Sequence, residues 1–229
     1  MKQRYLYVML SRTDTGMGKI IRLFTRGTYN HVSLGLDDDL RSFVSFARYA
    51  RDVSLAGGYV TEPAERLLVS GERLPVRIFR LEITPEQHTR LEELFSLAGH
   101  RETGLIYNSL GAMLSTWHIP CPIPGAYTCL EFAGAVLGTP FPSLQALERH
   151  LTPYEIYHGE LGDRVTDNGS RCDSFFKRRG FFRGVGDTVW HFTRLLGRTL
   201  RITHCHDPIA VYDAPILSNC QNASPVSTE

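Results

Sequence analysis

The residue whose setting most suggests chemistry is Cys129, in the run Tyr127-Thr128-Cys129-Leu130-Glu131-Phe132. Thr128 and Glu131 stand at the spacing of a capping box, which predicts Thr128 as the N-cap and puts Cys129 in the first helical turn. Unpaired backbone N–H groups and the positive end of the helix dipole there favour a thiolate, the nucleophilic form of cysteine. The plainer alternative is a small buried apolar residue at a helix start. A thiol nucleophile also needs a general base and a third group that orients the base. His31 opens the run His31-Val32-Ser33-Leu34-Gly35-Leu36, whose alternation sets His31, Ser33 and Gly35 on one strand face and leaves room for a helix terminus. With Asp37-Asp38-Asp39 as the loop, Leu36 pairs with Leu40 and His31 falls opposite Ser45, a candidate to hold the far ring nitrogen. A partly exposed edge-strand histidine is the competing reading. An acyl-transfer oxyanion would take the Cys129 N–H as its first donor, while Tyr127 is either a second contact or a packing residue.

The elements that must position these residues follow from periodicity and breakers. Arg4–Leu10 reads as a first strand, 16–26 as a short amphipathic helix, and 31–36 with 42–47 as a hairpin. The stretch 55–71 mixes glycines, a proline and polar residues and reads as a loop with one helical turn. A strand is predicted over 76–83. Thr84-Pro85-Glu86-Gln87 then combines an N-cap, a proline at the first helical position and a capping glutamine, continued by Leu91, Leu94, Phe95 and Ala98. Residues 107–117 read as helical, Pro120, Pro122 and Pro124 force a loop, and 128–137 is a helix stopped by Gly138 and Pro140. A short helix over 144–151 and a strand over 154–161 complete the unit.

Three short stretches carry a resemblance: Thr25-Arg26-Gly27-Thr28-Tyr29-Asn30-His31-Val32-Ser33-Leu34, Val44-Ser45-Phe46-Ala47-Arg48 and Tyr127-Thr128-Cys129-Leu130-Glu131-Phe132. In motif and order they resemble the permuted branch of the NlpC-type papain-like cysteine peptidases and amidases, relatives of the lecithin:retinol acyltransferase-like proteins. The resemblance spans about Arg4 to Leu161. It implies an α+β fold of papain-like permuted topology, an antiparallel sheet packed against the cysteine-bearing helix, with Cys129 as nucleophile and His31 as base. The implied activity is that of a cysteine-dependent hydrolase or acyltransferase on a peptide, other amide or acyl-ester bond, with no cofactor. The third catalytic position in such enzymes is often His, Asn, Gln or Glu; the register here offers Ser45.

The chain's 229 residues, 42% hydrophobic and 21% charged, match one globular domain with an appendage rather than a disordered chain. No apolar run approaches the ~18 residues of a membrane span, and no export signal is evident, so a cytoplasmic location is the expectation. Five cysteines without CxxC pairs argue against a disulfide framework. Charge is uneven. Between Arg171 and Arg201 eight basic residues face two acidic ones, so this segment carries +6 and the remainder −5. The expected organisation is therefore a hydrolase domain over 1–162, a basic aromatic-rich extension over 163–217 and a disordered tail over 218–229. Rings and arginines of 175–183 suit docking on the core with a solvated basic rim, insertion at an anionic membrane surface, or stacking on single-stranded nucleic acid, the last not being the expected partner. His204-Cys205-His206-Asp207 lacks a second ligand pair, so no metal site is expected, and no Lys-Ser/Thr phosphate loop supports nucleotide hydrolysis. The competing functional class is a non-enzymatic binding module with a vestigial Cys/His pair, whose basic extension contacts membrane or nucleic acid.

Overall fold

A computed structural model describes residues 3–13, 27–49, 56–67, 74–117, 119–163, 181–201, 205–213 and 216–217. The chain is mixed α+β. Its strands are β1 (Arg4–Ser11), β2 (His31–Gly35), β3 (Ser42–Arg48), β4 (Gly57–Pro63), β5 (Pro75–Ile83), β6 (Ile106–Tyr107), β7 (Ala126–Tyr127) and β8 (Glu155–Glu160). Six form one sheet in the order β4-β3-β2-β1-β5-β8, every neighbouring pair antiparallel. The other two, β6 and β7, make a short parallel pair.

Strand alternation sends apolar side chains to both faces of the sheet. Leu6, Val8, Leu10, Val32, Leu34, Phe46, Phe79 and Leu81 enter the main core, while Tyr7, Met9, Phe43, Val76 and Ile78 form a smaller one on the other face, with Leu67 from the short helix α1 (Ala64–Leu67). The main core is covered by α2 (Pro85–Ala98), α4 (Cys129–Leu137) and α5 (Leu144–Leu151). Thr84 caps α2 with the reciprocal Gln87 contact the sequence predicts. Phe132 of α4 sits at the centre, its ring 5.4 Å from Phe46, 5.9 Å from Tyr59 and 6.1 Å from Phe95. Truncating it to alanine would cost about 3–5 kcal/mol, as for other buried phenylalanines.

Two expectations are corrected. The stretch read as a loop over 55–71 contains β4, an edge strand whose glycines permit close approach: a Cβ at Gly57 would stand 2.3 Å from the Ala47 carbonyl oxygen. The β2–β3 hairpin is also paired differently. Leu34 lies opposite Val44, so Ser33, not His31, faces Ser45. The connection runs from 36 to 41 and closes with Leu40 at φ 56°, rather than as a loop of three aspartates. Beyond residue 162 the chain also docks on this body. Helix α6 (Phe181–Thr199) packs Leu195 against Ile106, Ile123 and Ala126, and Ile209, Ile216 and Leu217 enter the main core. The predicted helix over 16–26, the run 175–179 and the tail 218–229 lie outside the described residues. Among the described residues no helix is long and apolar enough to cross a membrane.

Candidate active site

Cys129 is the first residue of α4. The capping box forms as predicted: Thr128 Oγ1 accepts the Glu131 N–H at 3.1 Å and a Glu131 carboxylate oxygen accepts the Thr128 N–H at 2.7 Å. The Phe132 N–H closes the first turn on the Thr128 carbonyl, which leaves the N–H groups of Cys129 and Leu130 without an acceptor inside the helix. The thiol is buried, with 9% of the residue exposed.

His31 opens β2, where the strand end meets the helix start. Its Nε2 donates to Glu62 Oε2 at 2.8 Å, and both side chains are almost fully enclosed. The same oxygen accepts from Ser33 Oγ at 2.6 Å and Ser45 Oγ at 2.7 Å. Three donors converging on one oxygen specify an ionised carboxylate, because a protonated one would compete as a donor. Since Nε2 is committed to Glu62, Nδ1 is the ring nitrogen left for Cys129, whose thiol lies close enough to act on the protonation of the ring.

The charges reinforce this arrangement. Burial opposes the imidazolium, but the Glu62 charge, together with the hydrogen bond and charge of Cys129, outweighs it and pushes the His31 pKa up to about 10. Burial likewise opposes the Glu62 carboxylate; the His31 charge and hydrogen bond, the Arg66 charge and the Ser33 hydroxyl overcome it and bring its pKa down to about 2. An anion–cation pair thus stands beside the thiol, compensated by hydrogen bonds from two neighbouring strands.

Sequence reasoning brought Cys129 and His31 together and missed Glu62. Ser45, expected at the ring, instead donates to the carboxylate that holds the ring. Glu62 sat in the supposed loop; the signal for it was Tyr59-Val60-Thr61, three strong strand formers running directly into a carboxylate. Tyr127 is a packing residue. Its ring lies 5.3 Å from Phe46 and its hydroxyl donates to Asp207 Oδ2 at 2.9 Å. Burial, and then the charges of Cys129 and Glu131, raise the pKa of Tyr107, so its hydroxyl stays protonated.

Two further buried groups hold the backbone around Cys129. Asn108 caps α3 (Ser109–Leu114) by accepting the Gly111 N–H at 2.8 Å, and its Nδ2 donates to the Cys121 carbonyl at 2.7 Å and toward the Glu131 carboxylate at 3.3 Å. From the C-terminal side, Arg198 and Arg194 donate to the Gly104 carbonyl, and Asp207 accepts the Gly125 N–H at 3.1 Å. Cys205 and Asp207, part of the run considered for metal, pack around Gly125 and Tyr127, and His204 lies outside the described residues. The chain matches no protein-family profile, no curated protein and no solved structure.

Proposed function

We propose that the protein is a thiol hydrolase or acyltransferase of papain-like permuted topology, acting on an amide or ester bond. The observation that carries this reading is the His31–Glu62 pair beside a cysteine at a helix N-terminus, with the carboxylate fixed by Ser33 and Ser45. Glu62 holds the imidazole with Nε2 as donor, so Nδ1 is the nitrogen that exchanges a proton with the thiol. Cys129 Sγ passes its proton to Nδ1 and attacks the carbonyl carbon of the substrate. The resulting oxyanion takes the Cys129 N–H as donor, with the Tyr107 hydroxyl as a second. As the tetrahedral adduct collapses, the C–N or C–O bond breaks and the imidazolium returns its proton to the leaving amine or alcohol. Water or another acceptor then gives a proton to His31 and attacks the thioester, releasing the acyl group and the thiol.

The raised His31 pKa favours the imidazolium, a cation that stabilises a thiolate formed beside it. Iodoacetamide labelling mapped by mass spectrometry tests this. Cys129 should alkylate at pH 6 far faster than Cys121, Cys172, Cys205 or Cys220, since a thiol of pKa about 8.5 is almost wholly protonated there. His31→Ala should abolish the selectivity with the fold retained. If Cys129 labels no faster than the other cysteines, the catalytic reading falls and a binding module with an inert Cys/His pair replaces it.

A further inference from the structure

We propose that the outward face of α6 docks the protein on an anionic lipid surface. The orientation of this helix is fixed from beneath. His191, Leu195 and Arg198 are buried, His191 lies 3.4 Å from Ser109 Oγ, and Arg198 donates to the Gly104 and Pro124 carbonyls. The opposite stripe therefore faces outward: Val185, Val189, Phe192 and Leu196, at i, i+4, i+7 and i+11, are 38–60% exposed, and Leu200 extends the line just past the helix end. Trp190, on the flank of the stripe, is 66% exposed. Single exposed apolar residues are ordinary, but five on one helix with a sixth just past its end form a patch that marks an interaction surface. Helix α3, which meets α6 through Ser109 and His191, carries the exposed apolar residues Leu110 and Met113.

Charge selects the occupant. Arg183 and Arg201 are exposed at the two ends of the helix, whereas its one acidic residue, Asp187, is half-buried. Lys177, Arg178 and Arg179 precede the helix in the sequence, and the segment from Arg171 to Arg201 carries +6 in a chain whose remainder carries −5. An apolar stripe with an aromatic flank and arginines at its ends suits the boundary between acyl chains and anionic headgroups. A second copy docked face to face would instead set Arg183 and Arg201 against like charges. A helix of 19 residues is about 28 Å long, yet it is not apolar enough to span a bilayer, so it would lie in the plane of the interface. The proposal does not depend on the catalytic reading.

The test is flotation of the full chain with phosphatidylcholine vesicles, with and without phosphatidylglycerol, at low and high salt. Fluorescence of a Trp117→Phe variant, which leaves Trp190 as the sole tryptophan, is followed in parallel. The expected result is binding that requires phosphatidylglycerol, weakens with salt and shifts Trp190 emission to the blue. Val189→Glu combined with Leu196→Glu should lower vesicle affinity about tenfold or more without changing the melting temperature, both side chains being exposed. Should the double variant fold poorly, quenching of Trp190 by brominated acyl chains gives the same answer in the Trp117→Phe protein. No flotation at low salt, unchanged binding of a folded double variant, or unquenched Trp190 overturns the proposal. A chain that self-associates through Val189 and Leu196 and ignores vesicles assigns the face to a second copy.

Discussion

Two regions of this molecule bury charge, and they do so in opposite ways. At the β2–β4 end of the sheet, the Glu62 carboxylate is surrounded by donors from His31, Ser33 and Ser45. Beneath α6, the Arg198 guanidinium is buried against backbone carbonyls of Gly104 and Pro124, with Arg194 sharing the first of these. The first region pairs two groups that can both change protonation state; the second uses a cation that cannot lose its proton in any ordinary condition. A buried charge whose partner titrates is suited to moving protons, and one clamped on carbonyls is suited to holding backbone. Both converge on Cys129, the first through the His31 ring and the second through the segments 104–109 and 124–127 that flank the cap of α4.

The largest effect should follow from removing the carboxylate charge. Glu62→Gln keeps the shape but removes the charge that outweighs the burial of the imidazolium, so His31 should become neutral at a much lower pH than about 10. Alkylation of Cys129 at pH 6 should fall by up to about 300-fold, the factor by which a thiol of pKa about 8.5 is less ionised there than a full thiolate. Mapped labelling together with an NMR titration of His31 checks both consequences in one protein. Retention of wild-type labelling would mean that the pair is structural only.

The pair should also write itself into stability against pH. The Glu62 pKa is depressed, so its contribution is full above the ordinary carboxylate value of 4.5 and is lost as pH falls toward about 2. The His31 pKa is raised, so its contribution is full below the ordinary imidazole value of 6.5 and is lost as pH rises through about 10. Both are complete between 4.5 and 6.5. Urea denaturation of wild type and Glu62→Gln across pH should therefore show the difference greatest in that window and shrinking on both sides.

How far the site could be read from sequence depended on whether each contact was local. The cap of α4 was legible because Thr128 and Glu131 are three residues apart and specify each other. The hairpin register was not. The observed pairing differs from the expected one by two residues, and a two-residue slip keeps every side chain on its face, so the alternation of Val32 and Leu34 with His31 and Ser33 is satisfied either way. Only the turn decides, and Leu40 in a left-handed conformation is not a choice a leucine advertises. Strand β4 was hidden by Gly57 and Gly58, residues that weaken strand propensity yet are needed where its backbone meets Ala47 and where the Tyr49 hydroxyl would stand 2.1 Å from a Cβ at Gly58. The grip of α6 on Gly104 joins residues some ninety positions apart. No periodicity reports such a contact.

The arginine clamp gives the next prediction and sharpens the contrast. Arg198→Met keeps the length of the side chain and removes its bonds to the Gly104 and Pro124 carbonyls, for a loss of about 2–3 kcal/mol in urea denaturation. Because a guanidinium stays charged, this loss should be constant from about pH 4 to 10, unlike that of Glu62→Gln. Labelling of Cys129 in the folded protein should change by less than about tenfold, since the Arg198 side chain acts on backbone and not on the thiol or the ring. A pH-dependent loss, or abolished labelling in a folded variant, would erase the distinction between the two regions.

The smallest effect belongs to Ser45, and it separates two ways of orienting a histidine. Had its hydroxyl held the ring directly, Ser45→Ala would free the imidazole and match Glu62→Gln in its loss of labelling. In the observed geometry the alanine removes one of three donors to Glu62 Oε2 and leaves the 2.8 Å bond to His31 Nε2 and the 2.6 Å bond from Ser33 in place. Stability should drop by about 1 kcal/mol, the usual worth of one such bond. Labelling should slow by only a few-fold. A carboxylate with fewer donors is easier to protonate, so the acid limb of the stability profile should move to higher pH while the alkaline limb, set by His31, keeps its place. That asymmetric shift is what the denaturation series in Ser45→Ala would have to show, and a symmetric loss on both limbs would return Ser45 to the ring.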